Sequence, residues 1–100
     1  MDLKIEVQLS HVFQSACSSP QLTIEVGEGE GTVQCLLRFL TQKYGEKIRP
    51  LLYEQGKDSF LSGLMVMVND QVFTGSDLNR KVIELHDKDK VNLLYFVSGG

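Results

Sequence analysis

The sequence has few cysteines, no tryptophan and no long apolar run. Its two cysteines, Cys17 and Cys35, lack the Cys-x-x-Cys spacing of redox and zinc motifs and are too few for a disulfide framework or an iron–sulfur cluster. The histidines, His11 and His86, have no partner at metal-ligand spacing, so we expect no metal site. No apolar stretch approaches membrane-spanning length, and the first residues do not resemble a signal peptide. We therefore expect a cytoplasmic protein with no membrane segment.

The charges are mixed rather than clustered. Ten basic and thirteen acidic residues give a net charge of −3, and no basic run supports nucleic-acid binding. An apolar fraction of 42% in 100 residues is ordinary for one folded domain. Cys35, in an apolar helical stretch, is predicted to be buried, and Cys17, in a polar segment, to be exposed.

The first third of the chain predicts two strands. Apolar residues alternate with polar ones from Leu3 to Leu9 and again from Leu22 to Val26, which is the period of half-buried strands. Residues 14–20 are polar and predict a turn, so the two strands form an N-terminal hairpin.

The middle of the chain predicts one amphipathic helix. Thr32 is a good N-cap, apolar residues then recur at helical spacing, and Gly45 is a natural stop. Residues 46–53 predict a short second helix, because Pro50 prevents one continuous rod. A polar connection follows at residues 54–62.

The last third predicts three strands. Leu64–Val68 leads into a turn at Asn69-Asp70, and a return strand begins at Val72. After an acidic turn at residues 87–89, a final strand runs from Val91 to Val97. The order of elements predicts an α+β fold, with a mixed sheet of four to five strands packed on one main helix.

The strand periodicity also predicts which side chains face outward. We assign one phase of the third and last strands to the core: Val66, Val68, Val91 and Leu93. The other phase then lies on the open face of the sheet: Met65, Met67, Leu94 and Phe96. An exposed apolar patch with methionines is typical of a partner-binding surface. The alternative is that the long connection or a second copy of the chain covers this face.

The printed chain ends in Gly99-Gly100, separated from the last strand only by Ser98. A terminus without side chains can enter a narrow channel and present its α-carboxylate to another enzyme. It can equally be an incidental solvated end. The ending by itself leaves both interpretations open.

Four short motifs in a fixed order resemble the MoaD/ThiS family of sulfur carriers, which have the ubiquitin-like β-grasp fold. They are Thr32-Val33 before Leu36-Leu37, Val66-Met67-Val68-Asn69, Leu85-x-Asp87-x-Asp89-x-Val91, and Val97-Ser98-Gly99-Gly100. The resemblance covers essentially the whole chain and is strongest to the small subunit of molybdopterin synthase. It implies one β-grasp domain over residues 1–97 and a flexible tail over residues 98–100.

The resemblance also implies a function for the tail. An E1-like adenylyltransferase of the MoeB/ThiF type would use ATP to adenylate the Gly100 carboxylate. A sulfur donor such as a cysteine desulfurase or rhodanese would then convert it to a thiocarboxylate. The sulfur acceptor would be the large subunit of molybdopterin synthase, in molybdenum or tungsten cofactor biosynthesis. The domain itself would be a non-catalytic carrier with no permanently bound cofactor.

Three alternatives remain open at this point. The sulfur could serve thiamin, cysteine or tRNA thiolation. The chain could instead be a protein modifier that forms isopeptides through Gly100. It could also be a non-covalent β-grasp adaptor in which the glycines are incidental.

The sequence departs from the family pattern at two places that bear on the structure. Lys88 stands where the family usually has glycine, which costs about 1 kcal/mol if the turn is left-handed there. Tyr95-Phe96 stands where the molybdopterin type often has prolines, so we expect the tail to leave the sheet later.

Overall fold

The computed structural model describes residues 2–95, which form a five-stranded mixed sheet and four α-helices. In chain order the elements are β1 (Leu3–Leu9), α1 (His11–Cys17), β2 (Gln21–Val26), α2 (Val33–Tyr44), α3 (Arg49–Leu52), β3 (Leu64–Val68), β4 (Gln71–Thr74), α4 (Gly75–Arg80) and β5 (Lys90–Tyr95). The strand order is β2-β1-β5-β3-β4. Only the central β1–β5 pair is parallel among these strands.

Helix α2 packs its apolar stripe on one face of the sheet. The Thr32 hydroxyl accepts a hydrogen bond from the Cys35 amide at 3.1 Å, and Gly45 ends the helix with a φ of 62°. The buried residues of the helix share one core with the inward phase of the strands. The predicted α+β architecture, with its main helix, is confirmed.

The predicted turn over residues 14–20 is wrong, because α1 occupies most of it. Phe13, Ala16 and Cys17 are buried, and this helical spacing places them on one face against the core. Both cysteine predictions are wrong for related reasons. Cys17 is buried at the end of α1, whereas Cys35 lies at the margin of the apolar stripe of α2 and is half-buried.

The helix α4 was not predicted. It begins with a capping box in which the Thr74 hydroxyl and the Asp77 carboxylate each accept a hydrogen bond from the other residue's amide. The hydrogen bonds that the Asp77 carboxylate accepts from Thr74 and Arg80 lower the pKa of this carboxyl. The Thr-x-x-Asp pattern of residues 74–77 could have predicted the start of this helix from the sequence.

The acidic turn before β5 joins three parts of the sheet. Asp89 accepts hydrogen bonds from the His86 amide at 2.8 Å and the Asn69 side chain at 3.0 Å. Asp87 accepts one from the Lys4 amide at 2.8 Å. Lys88 between them has a φ of 71°, so the left-handed conformation that favours glycine is present.

Replacing Lys88 by glycine is therefore expected to stabilise the fold. Relief of the left-handed strain should raise the free energy of unfolding by about 0.5–1 kcal/mol, after the entropy cost of glycine. Urea unfolding should show a higher midpoint with an unchanged slope. Lys90→Gly, inside β5, is the matched control and should lower the midpoint. A lower midpoint for Lys88→Gly would contradict the strain argument.

Candidate functional site

The predicted phase of β3 and β5 is confirmed. Val66, Val91 and Leu93 are fully buried and Val68 is nearly so, whereas the alternating residues Met65, Met67 and Leu94 are half-buried. The pattern follows from pairing in the middle of the sheet, with α2 on one side only. Phe96, the fourth residue predicted on the open face, lies outside the described residues.

Strand register gathers an apolar patch on the open face of the sheet. Met65 pairs with Leu94, and Met67 pairs with Val72 of β4. Val72 is 46% exposed, the most exposed apolar side chain in the strands of residues 2–95. We call Met65, Met67, Val72 and Leu94 the open-face patch. Val72 was not predicted to lie on this face, although the two-residue turn at 69–70 places it opposite Met67.

The other half of the open face is polar and its charges alternate in sign. Lys4 of β1 pairs with Glu25 of β2, and Glu6 pairs with Lys90 of β5. All four of these residues are exposed. The apolar character of the face is therefore confined to the β3, β4 and β5 side, next to the end of the strand that leads to the C-terminus.

Residues 53–62, which we call the 53–62 connection, join α3 to β3 and lie away from this face. Its Leu61 amide donates to the Leu52 carbonyl at 2.9 Å, and its Phe60 amide donates to the Asn79 side chain at 2.7 Å. These contacts hold the connection against α3 and α4. Among the described residues, then, the long connection does not cover the open-face patch.

Tyr95 fixes the last described position of β5. Its ring stacks on Phe13 with centroids 5.2 Å apart, and its hydroxyl donates to the Leu51 carbonyl. Burial raises the pKa of Tyr95 to about 12, so the hydroxyl stays a donor at neutral pH. Tyr95 still pairs with Leu64, so β5 continues to this residue, as the sequence predicted. The predicted tail residues Ser98, Gly99 and Gly100 lie outside the described residues.

The titratable groups of residues 2–95 do not assemble a metal or nucleophile site. No group of three or more His, Cys, Asp or Glu side chains in that range is placed to hold a metal ion. Burial raises the pKa of the Cys17 thiol, which disfavours the reactive thiolate. No helix in the same part of the chain is long and apolar enough to cross a membrane.

Several solved structures are similar to this chain along nearly its whole length. The small archaeal modifier protein 1 of Methanosarcina acetivorans aligns with a TM-score of 0.77 and 22% identity, over 100% of this chain and 99% of its own. A putative molybdopterin converting factor subunit 1 from Pyrococcus furiosus aligns with a TM-score of 0.70 and 22% identity, over 95% of this chain and 99% of its own. A chain of the Amycolatopsis orientalis BexX/CysO complex aligns with a TM-score of 0.67 and 17% identity, over 96% of this chain and 99% of its own. These likenesses establish the ubiquitin-like β-grasp fold.

Sequence comparison identifies the family independently. No curated protein matches the chain in sequence. The profile of the ThiS family, in contrast, matches residues 13–100, a range that includes β5 and the terminal Gly99-Gly100. The chain belongs to the ThiS family of ubiquitin-like sulfur carriers.

Proposed function

We propose that this protein carries sulfur as a thiocarboxylate on Gly100 and delivers it in molybdenum or tungsten cofactor biosynthesis. The observation that carries the proposal is the family match through residue 100, in a fold whose central strand β5 ends at Tyr95, five residues before Gly100. The similarity to a putative molybdopterin converting factor subunit supports the choice of pathway.

The chemistry needs activation of the terminal carboxylate. The carboxylate is ionised at neutral pH and resists nucleophilic attack. An E1-like adenylyltransferase would direct it onto ATP, releasing pyrophosphate and forming an acyl-adenylate. A persulfide sulfur from a desulfurase or rhodanese then attacks the acyl carbon, and AMP leaves. A thiol reduces the resulting acyl disulfide and frees the thiocarboxylate. We propose that this cycle takes place in the cytoplasm.

The chain's own contribution is a docking surface and a fixed starting point for the tail. The open-face patch adjoins β5, and we propose that the activating enzyme and the large synthase subunit bind there in turn. Tyr95, held by Phe13 and Leu51, fixes where the last residues start relative to that patch. Phe96 would extend the same contact surface. A small residue at each of positions 98–100 suits a narrow partner channel.

A second candidate is covalent protein modification. The similarity to small archaeal modifier protein 1 favours it, since that protein is named for modification. The same acyl-adenylate would then transfer Gly100 to a lysine amine as an isopeptide.

Intact-mass spectrometry tests the proposal. The protein is incubated with an E1-like adenylyltransferase, ATP and a cysteine desulfurase with cysteine. We expect one oxygen to be replaced by sulfur, with fragmentation locating the change at Gly100. A variant with one alanine appended after Gly100 should remain folded and unmodified. Full modification of that extended protein would overturn the proposal, and lysine conjugates without a stable thiocarboxylate would favour the modifier function.

A further inference from the structure

The 53–62 connection forms a fixed wall on the helix side of the molecule. Tyr53 and Phe60 form a β-bridge, and their rings stack with centroids 4.8 Å apart. The Asn79 side chain of α4 accepts from the Phe60 amide at 2.7 Å and donates to the Phe60 carbonyl at 3.1 Å. The segment is thus held near both of its ends, unlike a loose surface loop.

Between this wall and α2 lies a groove of about 530 Å³. Helix α2 contributes Gln34, Arg38, Thr41 and Gln42, and the opposite side contributes Arg49, Tyr53, Asp58 and Phe60. Tyr53 and Phe60 are buried and form the floor, and the charged side chains lie around them. The groove is on the side of the sheet that α2 covers, opposite the open-face patch.

The groove has more positively charged donors than acceptors. Arg38 makes no hydrogen bond or ion pair with any other residue in the described range 2–95. The Arg49 guanidinium lies 4.9 Å from the centre of the Tyr53 ring and makes only long contacts, 3.4 Å to the Lys57 carbonyl and 3.8 Å to Asp58. Asp58 is the one acidic residue of the lining, and its side chain is fully exposed.

Arg38 and Arg49 line the groove from its two sides, Arg38 from α2 and Arg49 from the opposite side. Burial raises the pKa of Tyr53, and the charges of Arg38 and Arg49 oppose that rise. Both arginines and Tyr53 therefore line the same groove. The cation–π contact of Arg49 with Tyr53 keeps that guanidinium oriented without using its N–H donors.

We propose that this groove binds a single carboxylate, supplied by an acidic side chain of a partner protein. Two arginines against one exposed aspartate leave a net charge of +1 in the lining, which one carboxylate neutralises. A phosphoryl group carries nearly two negative charges, so binding it would leave excess negative charge facing the Asp58 carboxylate. The fork of a guanidinium matches a carboxylate with two parallel hydrogen bonds.

The position of the groove gives the site a separate role from the open-face patch. A partner seated on the exposed sheet face leaves α2 and the 53–62 wall accessible. The carboxylate site can therefore be occupied in the free carrier and in a complex through the open face. It does not depend on the proposed sulfur chemistry.

NMR titration of the full chain at low salt tests the site, because surface charge interactions are screened by added ions. The probe is N-acetyl-glutamate N-methylamide, and its neutral isostere N-acetyl-glutamine N-methylamide is the matched control. We expect the glutamate probe alone to shift the amides of Arg38, Tyr53 and their neighbours saturably. Arg38→Gln and Arg49→Gln should each weaken binding about fivefold, as expected for an ion pair at the protein surface.

Lys4→Gln removes the same charge on the opposite sheet face and should leave binding unchanged. Equal shifts from the glutamine probe would overturn the proposal, as would equal weakening by Lys4→Gln. Tighter binding of inorganic phosphate than of the glutamate probe would also overturn it. The amide spectrum of each variant in the absence of probe verifies that the fold is intact.

Discussion

Replacing Gly75 by alanine should destabilise the fold more than any other glycine substitution in residues 2–95. A Cβ at this position would lie 1.7 Å from the Leu61 carbonyl oxygen and 2.7 Å from its carbon. Both are backbone atoms, so no side-chain rotation relieves the overlap. The wall that contains Leu61 is held by the Asn79 and Leu52 hydrogen bonds and cannot retreat without breaking them.

We expect the free energy of unfolding to fall by about 3–5 kcal/mol, a large part of the stability of a small domain. Urea unfolding followed by circular dichroism measures it. Gly63→Ala is the matched control, because a Cβ there meets no heavy atom within 4 Å and the residue has no left-handed φ. That variant should change stability by less than about 0.5 kcal/mol. Equal stability of both variants would show that the 61–62 backbone moves freely and that the connection is not fixed in position.

Substitutions at neighbouring positions of β3 should affect either partner binding or folding, depending on the face of the sheet. Met67→Asp places a charge on the open face, where water solvates it, and should cost only about 1 kcal/mol of stability because aspartate is disfavoured in strands. The same charge should strongly reduce adenylation, since it would be desolvated without a partner in an apolar interface. We expect a loss of at least about tenfold in kcat/KM for the activating enzyme.

Val66→Asp, one residue away on the same strand, should instead unfold the domain. Val66 is fully buried, and an unpaired charge there costs several kcal/mol. Gln21→Asp, on the exposed polar half of the open face, is the control for added negative charge and should retain both stability and adenylation. Val72→Asp should behave as Met67→Asp does, because the two residues pair across β3 and β4. Normal adenylation of a folded Met67→Asp protein would exclude the open-face patch as the docking surface.

Local patterns were sufficient for much of the sheet. Period-two alternation identified β1, β2, β3 and β5 and assigned Val66 and Met67 to opposite faces, because side chains alternate by geometry in any strand. Thr32 and Gly45 marked the ends of α2 for an equally local reason. Helices α1 and α4 escaped notice because each is only a turn or two long, and short helices depend on tertiary burial rather than on intrinsic propensity.

Burial of individual side chains was less predictable. Cys17 was expected to be exposed because its sequence neighbours are polar. It is buried instead, because α1 packs its side chain against the core. Phe60 lies in a polar stretch and is buried through its stack on Tyr53 and the Asn79 hydrogen bonds. In both cases the deciding neighbours are distant in sequence, so no local window contains them.

The sequence by itself determined the strand phases, the main helix, the family motifs and the Gly99-Gly100 ending, because each depends on residues within a few positions of one another. Only the tertiary structure decided that Val72 joins the methionines of β3, that Tyr95 is held by Phe13 and Leu51, and that Arg38 and Arg49 line one groove. Those three arrangements arise from strand register, helix docking and a folded-back connection. Each is a contact between segments far apart in the chain, and its position is fixed by packing around the shared core.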